Sequence, residues 1–111
     1  MNIKVKMTKS VNANAYGIAT GSIKTLDMEE YLRYVVPNEM SDYYPAAALR
    51  AQAIAARTFA MYRIDHPRSS SFDLYDNTDD QSFEYVTQGA TADAAISASS
   101  GLVLSSSGNV F

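Results

Sequence analysis

The sequence predicts an α+β fold, a small antiparallel strand framework packed around a central alanine-rich helix. Three observations carry that prediction. Ile3, Val5 and Met7 alternate with Lys4, Lys6 and Thr8, the period-two signature of a half-buried strand. Residues 46–63 form an alanine-rich run without a single Gly or Pro. Leu102, Val103 and Leu104, followed by Ser107-Gly108-Asn109 and Val110-Phe111, look like a buried strand, a turn and a returning strand.

Residues 11–25 are polar and punctuated by Gly17 and Gly21, which leaves room for short strands around 16–18 and 23–25. Asp27 is placed as an N-cap, with Glu30 three residues on in a capping-box arrangement. The helix so started, about 28–35, carries Met28, Tyr31, Leu32 and Val35 on one side. Pro37 is expected to stop it, leaving residues 37–40 as a link. Pro45 suits the first position of the long helix. At ~100° per residue its apolar and small side chains go almost all the way round, as expected for a closely packed helix. Arg50 and Arg57, seven apart, share one of its faces. Residues 72–85 are rich in Tyr and Asp and irregular, and 91–100 reads as an Ala/Ser helix closed by Gly101.

The chain has 111 residues, enough for one domain. Lys plus Arg number 9 and Asp plus Glu 12, a net charge of −3, which lacks the basic stripe of a nucleic-acid footprint. There is no Cys and one histidine, His66, so disulfides, thiol nucleophiles and Cys- or multi-His metal sites are excluded. His66 reads as a C-terminal helix cap. No stretch approaches the ~20 apolar residues of a membrane span. The first residues lack the apolar core of a signal peptide, so any export signal is expected to lie elsewhere.

Glu39 is the first candidate for chemistry. A carboxyl beside Val35, Val36 and Met40 would be desolvated and suited to a general acid; a solvated loop or capping glutamate is the plainer reading of the local sequence. An arginine on a buried helix must meet a partner or a cleft. Arg50 and Arg57 therefore pair with an acid, Glu39 among them, or bind substrate. Asp73, Asp76, Asp79 and Asp80 do not follow calcium-loop spacing and read as a solvated acidic loop. The eight tyrosines offer stacking platforms or half-buried core.

The segment Met28-Glu-Glu-Tyr-Leu-Arg-Tyr-Val-Val-Pro-Asn-Glu-Met40, with Tyr44-Pro45-Ala-Ala-Ala-Leu-Arg-Ala-Gln-Ala-Ile-Ala-Ala-Arg-Thr-Phe-Ala60, resembles the SpoIID/LytB family. That family reads E-E-Y-L-x-x-V-V-P-x-E-M, then W-P-x-E-A-L-K-A-Q-A-x-A-A-R-T-Y-A. Residues 72–85 and 91–104 fit its D-L-x-D-x-x-x-x-Q-x-Y and T-D-x-A-V-x-x-T-x-G-x-V-L stretches, so the likeness runs from about 25 to 111. The resemblance implies a peptidoglycan lytic transglycosylase acting on glycan strands in sporulation or cell-wall remodelling, outside the cytoplasm. Other cell-wall hydrolases are the partners it implies. It makes Glu39 the catalytic acid and base, reversing the plain local reading, and Arg57, Arg50, Gln81 and Tyr44 substrate-binding. A non-catalytic wall-binding enhancer of an N-acetylmuramoyl-L-alanine amidase is the alternative.

Three departures follow. Tyr44 replaces the family tryptophan. Some members bind zinc through Cys and His in a D-L-C-D stretch, where this chain has Tyr75 and no Cys, so neither metal nor cofactor is expected. The family's A-x-Y-x-x-x-x-G-G segment is not in this sequence, so the chain is expected to be a truncated SpoIID-like domain.

Overall fold

Strand β1, Asn2–Lys6, buries Ile3 and Val5 and turns Lys4 to solvent, as its alternation predicts. It lies at the centre of a three-stranded sheet in a computed structural model that describes residues 1–41, 43–85, 90–106 and 109–110. Helix α1, Ser10–Ala15, follows, and Gly21, at φ +91°, turns the chain back so that β2, Ile23–Asp27, pairs antiparallel with β1. Gly21 N–H donates to the Met7 carbonyl at 2.7 Å, which closes that turn. The third strand, β3, Leu74–Tyr75, joins the other edge of β1 in parallel. The sheet is thus mixed, not wholly antiparallel, because the chain returns to it only after crossing the long helix.

Asp27 caps helix α2, Met28–Arg33, by accepting from Glu29 N–H at 3.0 Å. The capping box is not closed: Glu30 Oε2 accepts from the Tyr16 hydroxyl at 3.1 Å instead. Pro37 does not leave a link. It sits in the first turn of a short helix α3, Val36–Glu39, where its missing N–H has no intrahelical partner to lose. The long helix α4 spans Ala46–Asp65 with Pro45 as N-cap, and His66 closes it by donating its N–H to the Tyr62 carbonyl at 2.8 Å.

Helix α4 buries Leu49, Ala53, Ala56, Arg57 and Ala60 on one face, packed against α2, α3 and α5, Ala90–Ala98. Small alanines let these helices approach closely. The opposite flank, at Ala47, Ala51 and Ala55, is exposed, so burial does not extend all the way round. Gly101, at φ +76°, ends the turn after α5. The expected strand at 102–104 does not form; Leu102 and Leu104 are about half exposed. The hairpin that does form pairs β4, Ser105–Ser106, with β5, Asn109–Val110. The turn expected at 107–108, and Phe111, lie outside the described residues. No helix among the described residues is long and apolar enough to cross a membrane.

Candidate functional site

Helix α3 is a single turn, and its position follows from its anchors. Val35 and Val36 are wholly buried, and the N–H groups of Glu39 and Met40 donate back to the Val35 and Val36 carbonyls at 3.1 and 3.0 Å. That turn carries Glu39 out of the core at the head of α4. The carboxyl is exposed, not enclosed by Val35, Val36 and Met40. Its Oε1 accepts from Ser82 N–H at 3.3 Å. Among the described residues Oε2 has no hydrogen-bond partner.

Residues 81–85 form the wall behind Glu39. Gln81 donates through Nε2 to the Tyr31 hydroxyl at 3.3 Å and to the Ala56 carbonyl at 3.2 Å. Phe83 is buried and stacks on Tyr31 at 5.6 Å, and Tyr85 stacks on Tyr34 at 4.6 Å. Burial pushes the Tyr31 phenol well above its ordinary range, although the Gln81 hydrogen bond acts in the opposite direction. Glu84 N–H donates to the Tyr34 carbonyl at 3.1 Å, which ties this wall to the end of α2.

Arg57 lies elsewhere. Its side chain is 3 % exposed and pairs with Glu29, Nε to Oε2 at 3.1 Å and Nη2 to Oε1 at 2.6 Å. Nη1 donates to the Leu102 carbonyl at 2.9 Å. Arg57 therefore joins α2, α4 and the turn after α5, and among the described residues it does not hold Glu39. Arg50, two turns earlier on α4, is exposed and has no hydrogen bond or ion pair among the described residues. Tyr43 and Tyr44 follow α3 with 98 % and 52 % exposure, in a turn where Ser41 receives both of their N–H groups. The structure thus brings Glu39 and Gln81 to one seam and sets Arg57 apart from them.

The acidic stretch is solvated at Asp79 but not at Asp76 and Asp80. Asp76 is wholly buried and accepts from the N–H and hydroxyl of Thr8, from Lys9 N–H at 3.0 Å and from Asn12 Nδ2 at 2.8 Å. Asp80 accepts from Arg63 at 3.1 Å, Arg68 at 2.8 Å and Tyr75 N–H at 2.7 Å. These carboxylates are anchors, so neither is free to act as a second carboxyl in glycoside hydrolysis. No group of three or more His, Asp or Glu side chains able to hold a metal occurs among the described residues. Ser82 and Lys9, which meet at this wall, carried no sequence signal: one acts through its backbone and the other joins it across 73 positions.

The family profile for SpoIID, Stage II sporulation protein, matches residues 16–105. The chain belongs to the SpoIID family. An uncharacterized protein of Brachyspira hyodysenteriae is 47 % identical over 57 residues, covering 50 % of this chain and 15 % of that protein. The Stage II sporulation protein D of Bacillus subtilis is 43 % identical over 49 residues, covering 44 % of this chain and 14 % of that protein. The matches thus span about one-seventh of these relatives' lengths.

Proposed function

We propose that this SpoIID chain contributes the catalytic glutamate of a peptidoglycan lytic transglycosylase, acting outside the cytoplasm on glycan strands in sporulation or cell-wall remodelling. One observation carries the reading: Glu39 is solvent-facing, with one carboxyl oxygen held by Ser82 N–H and the other without a hydrogen bond among the described residues. An N–H can only donate, so Oε1 presents a lone pair to it in both protonation states. Oε2, without a hydrogen-bond partner among the described residues, is the oxygen this reading assigns to proton exchange with the substrate.

The chemistry needs no second carboxylate. Glu39 donates its proton to the glycosidic oxygen between N-acetylmuramic acid and N-acetylglucosamine, and the bond to the muramic anomeric carbon breaks with its electron pair on the leaving oxygen. The muramic 6-hydroxyl then attacks that carbon, and the Glu39 carboxylate takes its proton, which restores the acid and gives a 1,6-anhydro product. A hydrolase would require a second carboxyl at a set distance to activate water. The buried, fully engaged Asp76 does not supply one. Tyr44 and Arg50, both exposed, are the side chains proposed to bind the strand, while Gln81 sets the wall behind it. Arg57 is not assigned to the strand in this reading, because its guanidinium is engaged by Glu29 and the Leu102 carbonyl.

The exposed pair Tyr43 and Tyr44 favours a second reading, a non-catalytic module that stacks on wall sugars and enhances an amidase. Full-length protein incubated with denuded glycan strands separates the two. Anhydro-muramyl products by mass spectrometry from the wild type and none from Glu39→Gln support catalysis. Equal product from both overturns it, and strand binding without product from either favours the enhancer.

A further inference from the structure

Ser82 N–H can hold Glu39 only if the backbone at 82 is itself held; Phe83 N–H donates to the Asp76 carbonyl at 3.0 Å and Glu84 N–H to the Tyr34 carbonyl at 3.1 Å, and the side chains that grip Ser82 and the Phe83 carbonyl come from the N-terminal segment. Lys9 Nζ donates to Ser82 Oγ at 3.2 Å and to the Phe83 carbonyl at 3.3 Å. Asn12, wholly buried, donates to that same Phe83 carbonyl at 2.8 Å and accepts from Tyr85 N–H at 2.8 Å. Asp76 fixes the other end of this clamp by accepting from Lys9 N–H and Asn12 Nδ2. Lys9 and Asn12 both precede residue 16, where the family match begins.

We propose that Lys9 is a positioning residue for Glu39, acting through Ser82. The proposal rests on the reading of Glu39 as the proton donor. Lys9 grips the side chain and the following carbonyl of the residue whose amide holds Oε1, and Asn12 backs it from the core. Releasing that grip lets the 82–83 backbone drift, and Oε2 loses its fixed aim at the glycosidic oxygen. Small misplacements of a reacting group cost much more rate than binding.

The test has an arm that does not need activity. In isotope-labelled full-length protein, the Ser82 amide resonance moves with ionisation of a carboxyl in the wild type, and that movement is absent in Glu39→Gln. Lys9→Met, which keeps the aliphatic stem, reduces the movement about twofold or more, and Lys9→Arg restores it. In the glycan assay Lys9→Met lowers kcat about two- to tenfold with KM nearly unchanged, the size expected for one lost hydrogen bond. Ser82→Ala removes the hydroxyl that Lys9 grips, so adding it to Lys9→Met produces less than the product of the two single effects. An unchanged Ser82 movement in Lys9→Met overturns the proposal. A wild type without lytic activity overturns the catalytic reading instead, and the amide titration then decides the positioning by itself.

Discussion

Arg57 and Glu29 form a two-pronged ion pair, Nε to Oε2 at 3.1 Å and Nη2 to Oε1 at 2.6 Å, with the arginine side chain 3 % exposed and the glutamate 29 %. The asymmetry of burial matters. Removing one member of a buried pair leaves the other charge uncompensated, and that cost falls on whichever member is farther from water.

Glu29→Gln should therefore cost more than Arg57→Met. The first strands a buried guanidinium, with a loss of about 3 kcal/mol. The second removes the buried charge, keeps much of its apolar volume, and leaves a glutamate that reaches solvent, so about 1–2 kcal/mol is expected. Urea unfolding of the two variants checks the order, and the reverse order would sink the argument.

Asp76 makes a sharper case, because every described partner of its carboxylate is a donor: Thr8 through two groups, Lys9 N–H and Asn12 Nδ2. Asp76→Asn turns one acceptor oxygen into an NH2 group facing those donors. The same volume is retained, yet a loss of about 2–4 kcal/mol is expected from unsatisfied buried donors. Thermal unfolding that matches the wild type within about 0.5 kcal/mol would refute this assignment.

Alkaline stability follows from the tyrosines around the 81–85 wall. The Tyr34 phenol is pushed up to about 12, first by loss of solvent and then by the neighbouring Tyr85 phenol. Burial also raises Tyr31, and burial with the nearby Glu30 carboxylate raises Tyr16. A raised pKa means that the folded chain keeps protons the unfolded chain sheds near pH ~10. This stabilisation is complete below about pH 10 and is lost as pH rises toward 12. Urea midpoints should fall between about pH 10 and pH 12, and Tyr34→Phe should flatten that fall. A midpoint independent of pH in both proteins would count against the packing of this wall.

How much of this was readable beforehand depended on the range of the interaction. Helix α4 was plain because alanine propensity is local. Helix α1, Ser10–Ala15, is not legible in the sequence because its polar residues have weak propensity and it is held by Asn12 bonding to Asp76 and Phe83, more than sixty positions away. The same distance hid the role of Asp76: an aspartate among polar neighbours looks solvated until its donors are known. Arg57 was recognisable as a buried charge needing a partner, but spacing alone could not select Glu29 from twelve acids. The two-residue β3 carried too little pattern to reveal its parallel pairing.

The candidate residues themselves should divide into two groups by their effects. Gln81 is tied down at both the Tyr31 hydroxyl and the Ala56 carbonyl, whereas Tyr44 has a half-exposed ring. Gln81→Leu leaves those two groups without their bond and should lower stability by about 1–2 kcal/mol. The Tyr44 side chain makes no hydrogen bond or ring contact among the described residues, so the stability of Tyr44→Ala should stay within about 0.5 kcal/mol of wild type. If its ring stacks on sugar, glycan-strand binding should weaken about five- to tenfold, since such a face-on contact contributes on the order of 1 kcal/mol. Isothermal titration with denuded strands, run beside urea unfolding on the same preparations, reads both effects. A Tyr44→Ala protein that binds like the wild type would remove this residue from the substrate surface, while one that unfolds early would place it in the scaffold with Gln81.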